Sequence, residues 1–113
     1  MNIQIFGKSK CFDTKKAERY FKERGMKFQS VDILQKGLSK GEHNSVRQAV
    51  GGLDALIDTK SSAYNSSFIA HLSSDEAKED KLMETPSLYK TPIVRNGKQA
   101  TVGYAPEIWK TWA

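Results

Sequence analysis

The beginning of the chain alternates between strand and helix patterns, and this order constrains the fold more than any other feature. Ile3 and Ile5 alternate with polar residues before Gly7, which predicts a short strand that ends in a turn. A helical spacing of apolar residues then stops at Gly25, and a second strand pattern extends to Ile33. Two strands joined by one helix should lie parallel, because the helix returns the chain to the end of the sheet where the first strand began.

Helix signals dominate the middle of the chain. Ser39 and Glu42 form a capping-box pattern that predicts a helix, and a second Ser-x-x-Glu pattern at Ser73 predicts another that ends before Pro86. Between them, the stretch "DTKSSAYNSS" is polar and typical of a loop. We therefore expect a helical insertion at about 39–86.

The last third has the pattern of a β-hairpin followed by a helix. The stretch "TPIVRNGKQATVGY" places Asn-Gly between two short apolar runs, and Pro106 opens a final helical pattern. The complete order is βαβ, a helical insertion, then ββα. It predicts a thioredoxin-like α/β fold with a four-stranded mixed sheet, in a single domain that spans 1–113.

Composition excludes several classes of protein. With 113 residues, 38% hydrophobic and 27% charged, the chain is typical of a soluble globular domain, and it has no apolar run of the roughly 20 residues that a membrane helix needs. A lone cysteine favours a reducing compartment, so we expect a cytoplasmic location. The net charge of +5 is scattered, so no direct nucleic-acid contact is expected, and the isolated His43 and His71 predict no metal site.

The lone cysteine, Cys11, follows the first predicted strand within the stretch "FGKSKCFDTKKA". Ligands bind at the carboxyl ends of parallel strands, and both a helix N-terminus and nearby lysines such as Lys8, Lys10 and Lys15 favour an anion. We therefore expect a thiol pKa below the ordinary value of about 8.5, with the Thr14 hydroxyl as a donor to the charged form. The alternative is a cysteine that only packs.

Three stretches together resemble the arsenate reductase (ArsC)/Spx-like family of the thioredoxin superfamily, in its short YffB-like branch. They are "FGKSKCFDTKKA", "GGLDALIDTKSSAY" and "TPIVRNGKQATVGYAPE", and the likeness extends over essentially the whole chain. The resemblance implies that Cys11 is the catalytic or redox-sensing cysteine. Many members carry a second cysteine where this chain has Thr14, so an outside thiol, glutathione or a glutaredoxin, would have to release any adduct. Glutathione is thus the expected co-substrate, with no cofactor bound.

The resemblance also assigns substrate-binding positions. Arsenate-reducing members bind the oxyanion with three arginines, whose places are taken here by Lys60, Thr91 and Tyr104. Since lysine is only a point charge and the other two are neutral, we do not expect efficient arsenate reduction, and a mixed disulfide is the other substrate class. Family members have a cis bond at the position of Thr91-Pro92. The full set of substrate-binding candidates is Thr14, Lys15, Lys60, Thr91, Pro92 and Arg95.

Two functions follow from this resemblance. The first is a glutathione-dependent thiol or arsenate reductase-like enzyme with Cys11 as nucleophile. The alternative is a Spx-like regulatory protein without enzymatic activity, which binds RNA polymerase through the surface around Gly52.

Overall fold

A computed structural model describes residues 2–112, and a four-stranded mixed sheet forms its centre. The sheet order is β2-β1-β3-β4; β1 pairs parallel with β2 and antiparallel with β3, and β3 pairs antiparallel with β4. The predicted thioredoxin-like order and mixed sheet are confirmed. The strands are β1 (Ile3–Gly7), β2 (Phe28–Asp32), β3 (Ile93–Asn96) and β4 (Gln99–Val102).

Helices connect the strands and cover both faces of the sheet. Within residues 2–112, no helix has both the length and the apolar character to cross a membrane. The α-helices are α1 (Phe12–Glu23), α2 (Ile33–Lys36), α3 (Lys40–Val50), α4 (Ser62–Ser66), α5 (Asp75–Glu84) and α6 (Pro106–Trp109). Short 3-10 helices lie at Asp54–Leu56, Ile69–His71, Pro86–Leu88 and Lys110–Trp112.

Each face of the sheet has its own core, because side chains alternate along a strand. Ile3 and Ile5 of β1 pack with Phe21 of α1 and with Trp109 of α6 on one face. Phe6 belongs to the other core, which contains residues from the helices between β2 and β3. Strand β1 is therefore buried on both faces and paired along both edges.

The structure differs from the sequence prediction at two helix starts and one loop. Ile33 begins α2 rather than ending a strand, because the Asp32 carboxylate accepts a hydrogen bond from the Leu34 N–H and caps a helical turn. Helix α5 is capped by Ser74, one residue after the predicted Ser73. Helix α4 forms within the predicted loop, where the Ser61 hydroxyl accepts from the Tyr64 N–H. Serine and aspartate side chains form similar hydrogen bonds in helix caps and in turns, so the local sequence does not decide between a short helix and a loop.

Other local predictions are confirmed. The capping box of α3 is complete, since the Ser39 hydroxyl accepts from the Glu42 N–H and the Glu42 carboxylate accepts from the Ser39 N–H. The hairpin is also present, with Asn96 paired to Gln99 across a turn at Gly97.

Gly7 lets the first turn of α1 lie unusually close to the end of β1. A Cβ atom placed on Gly7 would lie 2.2 Å from Thr14 Cγ2 and 2.6 Å from Thr14 Oγ1. Thr14 is itself 7% exposed and has core neighbours on α1, so it has little room to move. The absence of a side chain at residue 7 therefore sets the distance between β1 and α1.

We expect Gly7→Ala to lower the free energy of unfolding by about 2 kcal/mol, as overpacking does in other cores. Urea denaturation would measure the change. Gly41→Ala is the matched control, because Gly41 lies in α3 and, apart from its chain neighbours and its own helix backbone, nothing lies within 4 Å of its Cβ position. That substitution should raise stability by about 0.5 kcal/mol through helix propensity. A Gly7→Ala protein as stable as the wild type would contradict this account of the close contact.

Candidate active site

Cys11 lies at the junction between β1 and α1, where it is the N-cap residue of the helix. Its backbone N–H donates to the Lys8 carbonyl at 3.0 Å, which closes the loop between the strand and the helix. The thiol is half-buried, and its Sγ lies 3.6 Å from the carbonyl oxygen of Thr91, to which the protonated thiol donates. The sulfur thus lies between a helix N-terminus and the segment that precedes β3.

Opposing effects act on the pKa of Cys11. Burial of the sulfur raises this pKa, because less polar surroundings disfavour the thiolate. Donors act in the opposite direction, namely the hydroxyl groups of Thr14 and Thr91 and the backbone N–H groups of Asp13 and Thr14, and they bring the pKa below its ordinary value. The sulfur forms no side-chain capping bond of standard geometry, so these groups act as nearby donors rather than as a helix cap.

The Thr14 hydroxyl is available to the sulfur. Thr14 Oγ1 is buried and has no hydrogen-bond partner of standard geometry in the described part of the chain. A buried hydroxyl without a partner is costly, so a charged sulfur beside it supplies the acceptor that this group lacks. The sequence prediction also gave the neighbouring lysines a share in lowering the pKa. Within residues 2–112, no lysine ammonium is among the causes of the lowering.

The second wall of the site is the Thr91 segment, which we define as residues 86–92. Its carbonyl groups at Ser87, Tyr89 and Thr91 face the loop between β1 and α1. The Lys8 ammonium donates to the first two, at 3.0 Å and 3.1 Å, and the Cys11 thiol donates to the third. Lys8 was considered from sequence only as a source of positive charge, and nothing in the local pattern indicates the two carbonyl groups that it binds.

The opposite edge of the Thr91 segment is bound to residues 56–58. The Asp58 N–H donates to the Leu88 carbonyl at 2.8 Å, and the Lys90 N–H donates to the Leu56 carbonyl at 2.7 Å. Beyond Thr91, the Gly103 N–H donates to the Pro92 carbonyl at 2.8 Å. The Thr91-Pro92 bond is cis, as the family resemblance implied.

A partly buried polar network binds the Thr91 segment at Tyr89. His43 Nδ1 accepts a hydrogen bond from the Tyr89 hydroxyl at 2.8 Å, and its Nε2 lies 2.8 Å from a Glu79 carboxylate oxygen. Burial lowers the pKa of His43, and this effect outweighs the opposite effect of Glu79. A neutral ring accepts from the tyrosine hydroxyl at Nδ1. Its Nε2 is close to the carboxylate but has no hydrogen bond of standard geometry within residues 2–112. His43 looked isolated in the sequence because Glu79 lies on another helix.

The structure brings together four of the predicted site residues. The Cys11 sulfur lies beside Thr14 and Thr91. Pro92 is buried and follows Thr91 directly. Exposed Lys15 lies one residue beyond Thr14, where its N–H donates to the Cys11 carbonyl and its side chain lines a groove together with Lys8.

The other predicted residues are not among the groups that contact the Cys11 thiol within residues 2–112. The Arg95 guanidinium donates to Gln4 at 2.9 Å, on the strand pair β1/β3 and toward the end of the sheet opposite Cys11. Lys60 is exposed in the turn after Asp58, and its side chain forms no hydrogen bond or ion pair within residues 2–112. Tyr104 packs edge-on against Trp109 and lies beneath the Lys16 ammonium, so its ring faces the α1 and α6 side of the molecule.

Comparison with known proteins identifies the family. The sequence model of the ArsC family matches residues 6–112. The chain belongs to the ArsC family. The global transcriptional regulator Spx 2 of Oceanobacillus iheyensis is 34% identical over 109 residues, which cover 92% of this chain and 78% of the relative. The uncharacterized protein YusI of Bacillus subtilis is 25% identical over 119 residues, with full coverage of both chains.

A solved structure supports the same assignment. The arsenate reductase from Vibrio cholerae superposes with a TM-score of 0.84 at 25% identity, and the match covers 96% of this chain and 94% of that one. The resemblance inferred from three sequence stretches is thereby confirmed. A transcriptional regulator and a reductase are thus both among the relatives of this chain.

We expect Thr14→Val to raise the pKa of Cys11, because valine keeps the shape of threonine and removes the donor. The rate of Cys11 alkylation by iodoacetamide should rise with pH through a midpoint that is higher than in the wild type. Near neutral pH the rate should fall about threefold to tenfold. Ser9→Ala is the control, since it removes an exposed hydroxyl two residues from Cys11 that does not act on the sulfur. Equal midpoints in all three proteins would show that Thr14 does not stabilise the thiolate.

Proposed function

We propose that this protein is a thiol oxidoreductase of the ArsC family that uses Cys11 as its single nucleophile, with glutathione as the co-substrate. The observation that carries the proposal is the placement of the chain's only cysteine beside Thr14 and Thr91, with a pKa below the ordinary value. A thiolate is the reactive form of cysteine, and a half-buried sulfur is still open to a substrate.

The proposed reaction has two exchange steps. The Cys11 thiolate attacks the glutathione sulfur of a mixed disulfide, RS–SG, forms a Cys11–SG bond and releases RS⁻, which takes a proton. The thiolate of a second glutathione then attacks the same glutathione sulfur on the enzyme, forms GSSG and restores the Cys11 thiolate. The sum is RSSG plus GSH giving RSH plus GSSG. A glutaredoxin can replace the second glutathione as the releasing thiol.

A mixed disulfide is favoured over arsenate as the substrate. By the family resemblance, Lys60, Thr91 and Tyr104 correspond to the arginines of arsenate-reducing members, and none of them offers two parallel donors to an oxyanion. Disulfide exchange does not require such a site, because the thiolate attacks a neutral S–S bond and not an oxyanion of arsenic. The thiol and the donors around it are sufficient for the exchange step.

We expect the wild-type protein to reduce the mixed disulfide of glutathione and 2-mercaptoethanol in an assay that couples GSSG formation to glutathione reductase and NADPH. Cys11→Ser should abolish this activity, because a hydroxyl is too weak a nucleophile. Ser9→Ala should keep it. Parallel assays with arsenate, and with a glutaredoxin in place of excess glutathione, would define the substrate and the releasing thiol. Activity that survives in Cys11→Ser, or inactivity of the wild type in every arm, would refute the proposal.

The alternative function is that of a Spx-type regulator that binds RNA polymerase. The observation in its favour is the 34% identity to Spx 2 over 92% of this chain. The expected contact surface is the C-terminal end of α3, where Gly51 and Gly52 adjoin Arg47 and an exposed Gln48. Binding there would require no chemistry at Cys11.

If this alternative holds, immobilised protein should retain the α subunit of RNA polymerase, and Gln48→Glu should weaken that binding by altering the charge of the surface. Lys98→Glu, at the tip of the hairpin, is the control for a charge change elsewhere. A sample that is active as a reductase and does not retain the α subunit would exclude the regulator.

A further inference from the structure

We propose that Lys8 is a positioning residue, which holds Thr91 beside Cys11 by binding the carbonyl oxygens of Ser87 and Tyr89. The inference rests on the proposed function, because it concerns the reactivity of the same thiol. It assigns to Lys8 a role that differs from a general contribution of positive charge near the sulfur.

Lys8 connects the Cys11 loop with the Thr91 segment through both its backbone and its side chain. Its backbone carbonyl accepts the Cys11 N–H at 3.0 Å, so its main chain helps to fix where the thiol begins α1. Its ammonium donates to Ser87 and Tyr89 at 3.0 Å and 3.1 Å, across 79 and 81 residues of sequence. One residue therefore links the Cys11 loop directly to the Thr91 segment.

The three carbonyl groups that face the Cys11 loop make this link important for the thiol. Lys8 binds those of Ser87 and Tyr89, and the next one along, that of Thr91, faces the sulfur at 3.6 Å. When Cys11 loses its proton, the attraction between the thiol and the Thr91 carbonyl is lost and two electron-rich atoms face each other. The Lys8 ammonium, bound to the Tyr89 carbonyl two residues before Thr91, keeps the segment in place when Cys11 is a thiolate.

Lys8 affects the thiol through the position of the Thr91 hydroxyl. This hydroxyl is one of the donors that lower the pKa of Cys11, so any movement of Thr91 away from the sulfur should weaken the thiolate. The other supports of the segment bind groups that do not face the Cys11 loop. The Tyr89 hydroxyl is bound to His43, and the Lys90 N–H donates to the Leu56 carbonyl. The Lys8 ammonium instead binds the carbonyl groups on the side that faces the thiol.

The test compares Lys8→Met with Lys10→Met by iodoacetamide alkylation of Cys11 across a range of pH. Both substitutions remove one positive charge close to the thiol, but Lys10 is exposed and makes no side-chain hydrogen bond within residues 2–112. We expect Lys8→Met to move the midpoint upward and to slow alkylation near neutral pH by about fivefold, within the range of donor effects on cysteine. Lys10→Met should change the rate by less than about twofold, because an exposed charge is screened.

Lys8→Arg should restore most of the wild-type profile, because guanidinium N–H groups can also donate to two carbonyl oxygens. Equal shifts in Lys8→Met and Lys10→Met would overturn the inference, since only charge would then matter. An unchanged midpoint in Lys8→Met, with a low midpoint in the wild type, would also overturn it and leave the proposed function intact. An ordinary midpoint in the wild type would instead remove the proposed function and the inference with it.

A measurement on the unmodified chain covers the case in which Lys8→Met does not fold. Acetylation of native protein with an amine-reactive ester, followed by mass spectrometry, gives a rate for each lysine. The Lys8 ammonium is bound by two carbonyl groups and is thereby protected from the reagent. We expect Lys8 to react about tenfold more slowly than Lys10 or Lys15. Equal rates at these three lysines would overturn the inference.

Discussion

The close contact between Gly7 and Thr14 determines where Cys11 and the first turn of α1 lie. Strand β1 is paired along both edges and buried on both faces, so it cannot shift to make room for a larger residue at its end. The first turn of α1 therefore packs directly against the β1 backbone, and Cys11, as the N-cap of that helix, is held at a defined position. The environment of the thiol follows from backbone packing more than from the charges that surround it.

The helices between β2 and β3 have a part in the site although none of them carries the thiol. His43 of α3 and Glu79 of α5 form a buried network that fixes the Tyr89 ring. Burial raises the pKa of Tyr89 far above its ordinary value, so the tyrosine stays protonated and can donate to the neutral histidine. These helices thereby support the segment whose last residues contact Cys11. A chain without them would lack one wall of the site.

Local sequence patterns predicted those features that depend on neighbouring residues. The strand that ends at Gly7, the α3 capping box at Ser39 and the hairpin at Gly97 each depend on a few adjacent positions, and all three are confirmed. The prediction that the second strand includes Ile33 was wrong, because one side-chain hydrogen bond to Asp32 decided between a strand and a helical turn. Family resemblance supplied the cis bond before Pro92, which the local sequence does not indicate.

The sequence by itself determined the fold class, the family and the identity of the single cysteine, because each depends on order along the chain and on short-range spacing. Only the tertiary structure decided which groups surround that cysteine. It placed Lys8 on carbonyl groups 79 and 81 residues away, joined His43 to Tyr89 across 46 residues, and directed Arg95 to Gln4 instead of the thiol. The physical reason is that such contacts form only when separate elements pack, and a side chain's partner is then fixed by the register of the sheet and the burial of the groups around it.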